Sequence, residues 1–180
     1  MLNRTKKFMP ILIVAVLLAV SAVPVLAAPP GPTIVDVAIA INEATKTEED
    51  PDGEFATLIA AVLAADSAVL ETLTGNGQFT VFAPTDAAFA DLDLYPYNVG
   101  DLDQGFLTDV LLYHVARGRR YAEDVISSER IRTLQGGFLL QDGGVLTDNL
   151  GRDAKIIITD VEAANGIIHA IDAVVLPYAP

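Results

Sequence analysis

Apolar positions in the first half of the chain recur with the periodicity of an α-helix. The three- and four-residue spacing that places side chains on one helix face occurs in four segments: Ile34, Val35, Ala38 and Ile41; Leu58, Ile59, Val62 and Leu63; Val69, Leu70 and Leu73; and Phe106, Leu107, Val110, Leu111 and His114. Thr33 and the pair Asp66-Ser67 can cap the first and third segments, because their side-chain oxygens accept hydrogen bonds from first-turn N–H groups. We therefore predict helices there, with a break at Asp66.

The second half of the chain changes to short apolar runs separated by glycine turns, which is typical of β-strands. One strand is predicted earlier, at 78–84, and the others follow at 131–134, 138–141, 145–147, 155–161 and 167–176. Asn165-Gly166 separates the last two, and Asn-Gly is a strong hairpin signal. Helices that gather before the strands predict an α+β domain rather than a parallel α/β sheet.

The N-terminal segment predicts export. Basic residues within the first seven positions precede an uncharged apolar run that ends at the small-residue motif Val25-Leu26-Ala27. This order is that of a secretory signal peptide, so we predict a signal peptide at 1–27, a linker at 28–32 and one domain at 33–178. The apolar run is also long enough to span a bilayer, so an uncleaved membrane anchor is the alternative.

Charge and cysteine content exclude several classes of partner and chemistry. The chain has 24 Asp and Glu against 11 Lys and Arg. Removal of the leader with its three basic residues would leave 8 Lys and Arg against the same 24 acidic residues, a net charge of −16. Such a surface repels nucleic acid and anionic lipid. There is no cysteine, which excludes disulfides and thiol, iron–sulfur or cysteine–zinc chemistry.

The polar residues do not form a catalytic or metal-binding set. His169 and Asp172 lie three positions apart in a predicted strand, where side chains alternate between faces, so the two point apart. None of the serines outside the leader has the G-x-S-x-G setting of a hydrolase nucleophile. We therefore predict no catalytic residue, no cofactor and no metal site, and we interpret His114 and His169 as buried hydrogen-bonding residues.

Two charged segments could bind a ligand: an acidic stretch that could bind calcium and a basic cluster that could bind an anionic partner. The acidic stretch 42–54 places carboxylates in the register of a calcium loop, but Ile59 occupies position 12, where a bidentate Glu is needed. We interpret this stretch as a solvated loop. Arg117, Arg119 and Arg120 form a basic cluster that suits a sulfated glycan or an acidic partner, although arginines beside a helix end also complement the helix dipole.

Three sequence motifs together resemble the fasciclin (FAS1) domain family. They are, in order, FTVFAPTDAAF at 79–89, LLYHV at 111–115 and NGIIHAIDAVVLP at 165–177. TIVDVA at Thr33 is similar to the usual opening of the domain. The resemblance implies an α+β fold in which a β-sandwich or wedge packs against several helices. It also implies a non-enzymatic protein that is secreted or attached to the cell surface, on the periplasmic side in a double-membraned host.

The resemblance also implies roles for individual residues. In animal family members the Tyr-His segment is linked to integrin binding, which maps here to Tyr113 and His114 as candidate binding residues. The other motif positions are expected to be architectural: Phe82, Pro84, Thr85, Asp86, Phe89, Asn165, Gly166, His169 and Asp172. The implied function is adhesion to an extracellular protein or glycan. Some fasciclin-like proteins bind carotenoids, so the alternative is a carrier of an apolar small molecule in a groove between helices and sheet.

Overall fold

Six α-helices and seven β-strands are present in residues 31–179, the part of the chain that the computed structural model describes. The helices are α1 (Ile34–Thr45), α2 (Ala56–Ala64), α3 (Ser67–Thr74), α4 (Asp86–Ala90), α5 (Gln104–Tyr113) and α6 (Ala122–Ile126). The strands are β1 (Phe79–Pro84), β2 (Val115–Arg117), β3 (Arg130–Arg132), β4 (Phe138–Asp142), β5 (Val145–Thr147), β6 (Asp153–Ala163) and β7 (Gly166–Ile171). A short 3₁₀ helix, Val99–Asp101, lies between α4 and α5. The predicted signal peptide, residues 1–27, lies outside the described residues.

The strands form one curved sheet in the order β2-β1-β7-β6-β5-β4-β3. β1 and β7 run parallel, and the other neighbouring pairs are antiparallel. The two edges of the sheet meet again: Ala116 of β2 bridges Thr133, and the Leu134 N–H donates a hydrogen bond to the Val115 carbonyl over 2.7 Å. The sheet therefore curls into a wedge that closes at the β2–β3 seam, formed by residues 115–117 and 130–134.

Two hydrophobic cores lie on opposite faces of the central strands. The first packs the helices against β1 and β7 and includes Leu58, Val69, Val81, Leu111 and Ile168. The second fills the inside of the curled sheet and includes Phe82, Tyr113, Ile131, Leu139, Leu146, Ile171 and Val175. Because side chains alternate along a strand, β1 and β7 contribute to both cores, and all of their residues are buried. The predicted α+β fold, with helices packed on a sheet wedge, is confirmed.

The break between α2 and α3 lies at the predicted residue. The Asp66 side chain accepts a hydrogen bond from the Ala68 N–H over 2.8 Å and thereby starts a new helix. The two helices are bent by 118° at this break. In residues 31–179 no single helix is long and apolar enough to cross a membrane, and the α2–α3 pair reaches that length and composition only together.

The first helix begins as predicted but continues further than predicted. Thr33 and Asp36 form a reciprocal capping box at its start. The helix then runs to Thr45, inside the stretch 42–54 that was predicted to be a loop. The reason is Asn42, whose buried side chain accepts a hydrogen bond from the Phe55 N–H over 2.7 Å and so stabilises the end of the helix from across the loop.

Two further predictions from local pattern are wrong or incomplete. The last strand ends at Ile171 rather than at residue 176, because the chain leaves the sheet there and is held by side chains of other segments. The short elements β2 and α6 were not predicted. β2 has only three residues and exists because it pairs with β1, which is a long-range contact that no local pattern contains.

The hairpin predicted at Asn165-Gly166 is confirmed, but its glycine has another reason. β6 and β7 pair antiparallel, with Ala163 opposite Gly166 and a two-residue loop between them. Gly166 does not have a positive φ. A Cβ at this position would collide with the Phe79 carbonyl oxygen and with Cδ1 of Ile34. Gly166 is therefore required by the close approach of β1 and α1 rather than by the turn.

Candidate functional site

The Tyr-His segment lies in the interior, where α5 ends and β2 begins. Tyr113 is fully buried in the second core, and its hydroxyl donates a hydrogen bond to the Phe138 carbonyl over 2.6 Å. Burial raises the pKa of the Tyr113 phenol, so the hydroxyl remains protonated and keeps this bond. The side chain joins the end of α5 to the start of β4 across the wedge.

His114 is 3% exposed, and both of its ring nitrogens contact backbone groups. Nδ1 lies 2.7 Å from the Val110 carbonyl oxygen, and Nε2 lies 3.2 Å from the Val175 nitrogen. Because the Val175 N–H can only donate, Nε2 accepts and Nδ1 carries the proton. Burial lowers the pKa of His114 to about 4, so the ring is neutral at pH 7. His114 thus ties the segment that follows β7 to α5.

A buried carboxylate, Asp148, holds the same C-terminal segment and was not identified from the sequence. Its Oδ2 accepts hydrogen bonds from Nε and Nη2 of Arg152 and from the Leu176 N–H, over 2.9, 2.8 and 3.0 Å. Burial by itself raises the pKa of Asp148, but hydrogen bonds from Leu176, Arg152 and Leu150 outweigh it and lower the pKa below its usual value. Asp148 thus holds the segment whose Val175 N–H donates a hydrogen bond to His114.

His169 and Asp172 do not form a pair. His169 is fully buried: its Nε2 donates to the Arg120 carbonyl over 2.9 Å, its Nδ1 accepts from the Asp160 N–H over 3.3 Å, and its ring stacks on Phe82. Asp172 lies beyond the end of β7 and accepts a hydrogen bond from the Lys155 N–H over 2.7 Å. Within residues 31–179 there is no group of three or more His, Asp or Glu side chains placed to hold a metal ion.

Asn165 connects three elements from the tip of the β6–β7 hairpin. Its side chain is fully buried, and its Oδ1 accepts a hydrogen bond from the Ile34 N–H at the start of α1 over 2.8 Å. Its Nδ2 donates to the carbonyls of Leu73 and Gly75 at the end of α3, over 2.7 and 3.0 Å. The side chain thus supplies partners for backbone groups that two helix ends leave unpaired.

Thr85 and Asp86 cap two different helices just after Pro84 ends β1. Thr85 Oγ1 accepts a hydrogen bond from the Ala88 N–H and starts α4, which places Phe89 in the first core. Asp86 Oδ1 accepts from the Thr57 N–H over 2.9 Å at the start of α2, whose own N-cap residue makes no side-chain bond. Burial raises the pKa of Asp86. These motif polar groups are therefore committed to internal contacts.

A stacked aromatic pair with one exposed ring lies in the loop 91–103 between α4 and α5, here called the tyrosine loop. The rings of Tyr95 and Tyr97 stack with centroids 5.4 Å apart and planes 3° apart, and Tyr97 is 81% exposed. Asn98 orders the loop, because its Oδ1 accepts from the Tyr95 N–H and its Nδ2 donates to the Asp93 carbonyl. Val99, in the same loop, is buried. The loop therefore presents Tyr97 to solvent on an ordered backbone.

An apolar cleft lies between α1, α2, α3 and the sheet. Apart from His114 its lining is apolar and includes Ile34, Leu58, Val62, Leu73, Val81 and Ile168. The cleft has a volume of about 90 Å³. Ile39 and Leu63 also line it and are 42% and 69% exposed. This cleft lies at the place where the small-molecule alternative expects a groove.

Comparison with known proteins gives similarities over most of the described chain. A family model described as the fasciclin domain matches residues 53–177. Protein sll1483 of Synechocystis sp. is 42% identical over 133 residues, which cover 68% of this chain and 67% of that protein. The cell surface glycolipoprotein MPB83 of Mycobacterium bovis is 33% identical over 114 residues, which cover 63% of this chain and 50% of that protein.

A solved structure shares the fold. It is a FAS1 domain pair from the insect cell adhesion molecule Fasciclin I, with a TM-score of 0.51 and 22% sequence identity. The similarity covers 66% of this chain and 44% of that chain. At this level of identity the similarity concerns the architecture of helices and curled sheet.

Proposed function

The chain belongs to the fasciclin domain family, and from this premise we propose that it is a secreted or surface-associated, non-enzymatic protein that mediates adhesion to an extracellular protein or glycan. Two similar proteins support the proposal through their descriptions: MPB83 is a cell surface glycolipoprotein, and Fasciclin I is an insect cell adhesion molecule. Export by the predicted signal peptide, or retention through an uncleaved leader, would place the domain outside the cytoplasmic membrane.

The commitment of the histidines to structural contacts supports a non-enzymatic role. His114 and His169 each have both ring nitrogens in contact with backbone groups. A general base needs a nitrogen that is free to take a proton from a substrate. Neither ring offers one in this fold. The histidines of the motifs therefore serve to join helices, strands and the C-terminal segment.

The observation that carries the adhesion proposal is the exposure of Tyr97 on an ordered loop. Tyrosine is enriched at binding hot spots, because it offers a large contact area and a hydroxyl at a low cost in side-chain entropy. A loop that is ordered before binding also loses little entropy when a partner docks. The tyrosine loop carries Asp91, Asp93, Asp101 and Asp103, all exposed, which favours a neutral glycan or a basic protein surface as the partner.

Replacing Tyr97 by serine is expected to weaken attachment to host-cell surfaces at least tenfold while the melting temperature stays unchanged. The expected size is that of a hot-spot aromatic residue, whose loss costs about 1.4 kcal/mol or more. The measurement is flow cytometry of the fluorescently labelled full-length exported protein on cells of its own host, over a range of protein concentrations.

The matched control for this experiment is Leu140→Ser. Leu140 is 54% exposed on the outer face of β4, so this substitution also removes an exposed apolar side chain, but far from the tyrosine loop along the chain. Equal attachment of wild type and Tyr97→Ser would contradict the assignment of the tyrosine loop. An equal loss in both variants would indicate non-specific hydrophobic adsorption instead.

The apolar cleft favours a second candidate function, the binding of an apolar small molecule such as a carotenoid. Its lining and its two exposed rim residues suit such a ligand. However, its volume of about 90 Å³ is below the roughly 300–1,000 Å³ that is typical of ligand sites. A ligand would therefore require α1 and α2 to move away from the sheet, and adhesion is the function that the present geometry supports better.

The absorption spectrum of the protein purified from its own host separates these two functions. The chain contains five Tyr and no Trp, so the protein itself absorbs only in the ultraviolet. Under the adhesion proposal we expect no visible band and no pigment in an organic extract analysed by mass spectrometry. A visible band that disappears in the variant Leu58→Arg, which introduces a charge into the cleft, would make the carrier function the primary one.

A further inference from the structure

Three arginines converge on a pocket at the β2–β3 seam, here called the arginine pocket. Arg117 is the last residue of β2, Arg120 lies in the following loop, and Arg132 is the last residue of β3. The pocket has a volume of about 340 Å³, and its remaining lining residues are Thr133, Leu134 and Gly136. No carboxylate is among the residues that line it.

The guanidinium groups of these arginines have no acidic partner within residues 31–179. The ion pairs of arginine there are Arg119 with Glu162 and Arg152 with Asp148. In addition, Nε of Arg120 is buried and has no hydrogen-bond partner in this described part of the chain. Buried polar groups are normally paired, so an unpaired one calls for an explanation such as a bound water or ion. The absence of pairing is notable in a chain with 24 acidic residues against 11 basic ones.

We propose that the arginine pocket binds the anionic group of an acidic sugar, a carboxylate or a sulfate ester, on a surface glycan. Guanidinium groups bind both oxyanions through paired N–H donors, and a pocket lined by three arginines and no carboxylate suits either one. A pocket of about 340 Å³ lies at the lower end of the range of roughly 300–1,000 Å³ for small-molecule sites, so it can hold a sugar ring as well as the anion.

The negative charge of the whole protein favours a ligand with a single anionic group over a ligand with many. The chain has a net charge of −13, so its surface as a whole repels a long polyanion. Screening confines the attraction of the arginines to about 8 Å at physiological salt. A glycan with a single acidic sugar among neutral ones is attracted by the arginines and is not repelled by the acidic surface around them. The site is separate from the tyrosine loop and goes beyond the adhesion proposed above.

The test is a titration of the full-length exported protein, followed by NMR, with three probes: glucuronic acid, N-acetylglucosamine 6-sulfate and neutral N-acetylglucosamine. We expect saturable binding of at least one acidic sugar and none of the neutral sugar. Arg132→Gln and Arg120→Gln are each expected to weaken binding at least tenfold. Arg132 is exposed, so the first variant keeps the test valid if the second fails to fold.

The matched control is Arg130→Gln, which removes the same charge from a residue whose guanidinium lies 4.9 Å from the centre of the Phe138 ring and does not line the pocket. It is expected to bind like the wild type. The proposal is overturned if no acidic sugar binds, if Arg130→Gln loses as much affinity as Arg132→Gln, or if sodium sulfate binds as tightly as the sulfated sugar. It is also overturned in favour of a protein partner if only an oligo-glutamate peptide competes for the pocket.

Discussion

Replacing Asn165 by alanine is expected to lower the free energy of unfolding by about 3–5 kcal/mol, since each buried backbone group left without a partner costs about 1–3 kcal/mol. The substitution removes the acceptor of the Ile34 N–H and the donor to the carbonyls of Leu73 and Gly75. Asn165 is fully buried, so water cannot readily replace these bonds without opening the contact between α1, α3 and the hairpin. Urea denaturation followed by circular dichroism measures the change.

The matched control for this prediction is Asn149→Ala. Asn149 is exposed, and its side chain makes one hydrogen bond, from Nδ2 to the Pro177 carbonyl over 3.1 Å. Loss of that single bond from an exposed residue is expected to cost less than about 1 kcal/mol. If the two variants lose similar amounts of stability, the Asn165 side chain does not hold the helix ends as its contacts indicate.

Stability is expected to fall by about 3 kcal/mol between pH 7 and pH 4 because of His114 alone. Its pKa is lowered from 6.5 to about 4 in the folded protein, since burial disfavours the charged ring. Below pH 6.5 the unfolded chain therefore takes up a proton that the folded chain does not bind. The stability from the neutral ring is fully present above pH 6.5 and is lost as the pH falls towards 4. The free energy of unfolding, measured in urea at half-unit pH steps, tests this.

Comparison with His114→Gln isolates the contribution of this ring. Glutamine does not titrate, so the variant should be less stable than the wild type at pH 7 but should lack the additional loss between pH 6.5 and 4. Groups that titrate alike in both proteins cancel in the difference. A difference in stability that stays constant with pH would show that His114 is accessible to protons in the folded state, contrary to its enclosure by α5 and the C-terminal segment.

The elements of the fold were predictable where their signals are local. Helical periodicity and the caps Thr33 and Asp66 follow from residues within one or two turns of each other. The Asn-Gly hairpin is also a local signal. In contrast, β2 depends on pairing with β1, and the end of β7 depends on side chains that bind the departing chain. The pattern of apolar and polar residues around β2 and β7 does not indicate these long-range contacts.

The candidate sites were predictable only in part. The basic cluster of Arg117, Arg119 and Arg120 was visible in the sequence, but folding divides it. Arg119 donates a hydrogen bond to the Ala163 carbonyl, and its Nη2 lies 3.8 Å from Oε2 of Glu162. Arg132, at the end of β3, lines the pocket together with Arg117 and Arg120 instead. The exposure of Tyr97 could not be predicted either, because an irregular loop gives no indication of which aromatic side chains are buried.

The sequence by itself determined the class of the fold, the order of most helices and strands, and the family, because periodicity, capping and motif residues act over short distances along the chain. Only the tertiary structure decided which role each polar residue has. The Asn165 side chain binds groups 90, 92 and 131 positions away, and Nε2 of His114 accepts from a nitrogen 61 positions away. Burial and hydrogen-bond partners depend on such distant segments, and these decide which polar groups stabilise the interior and which remain free to bind a partner.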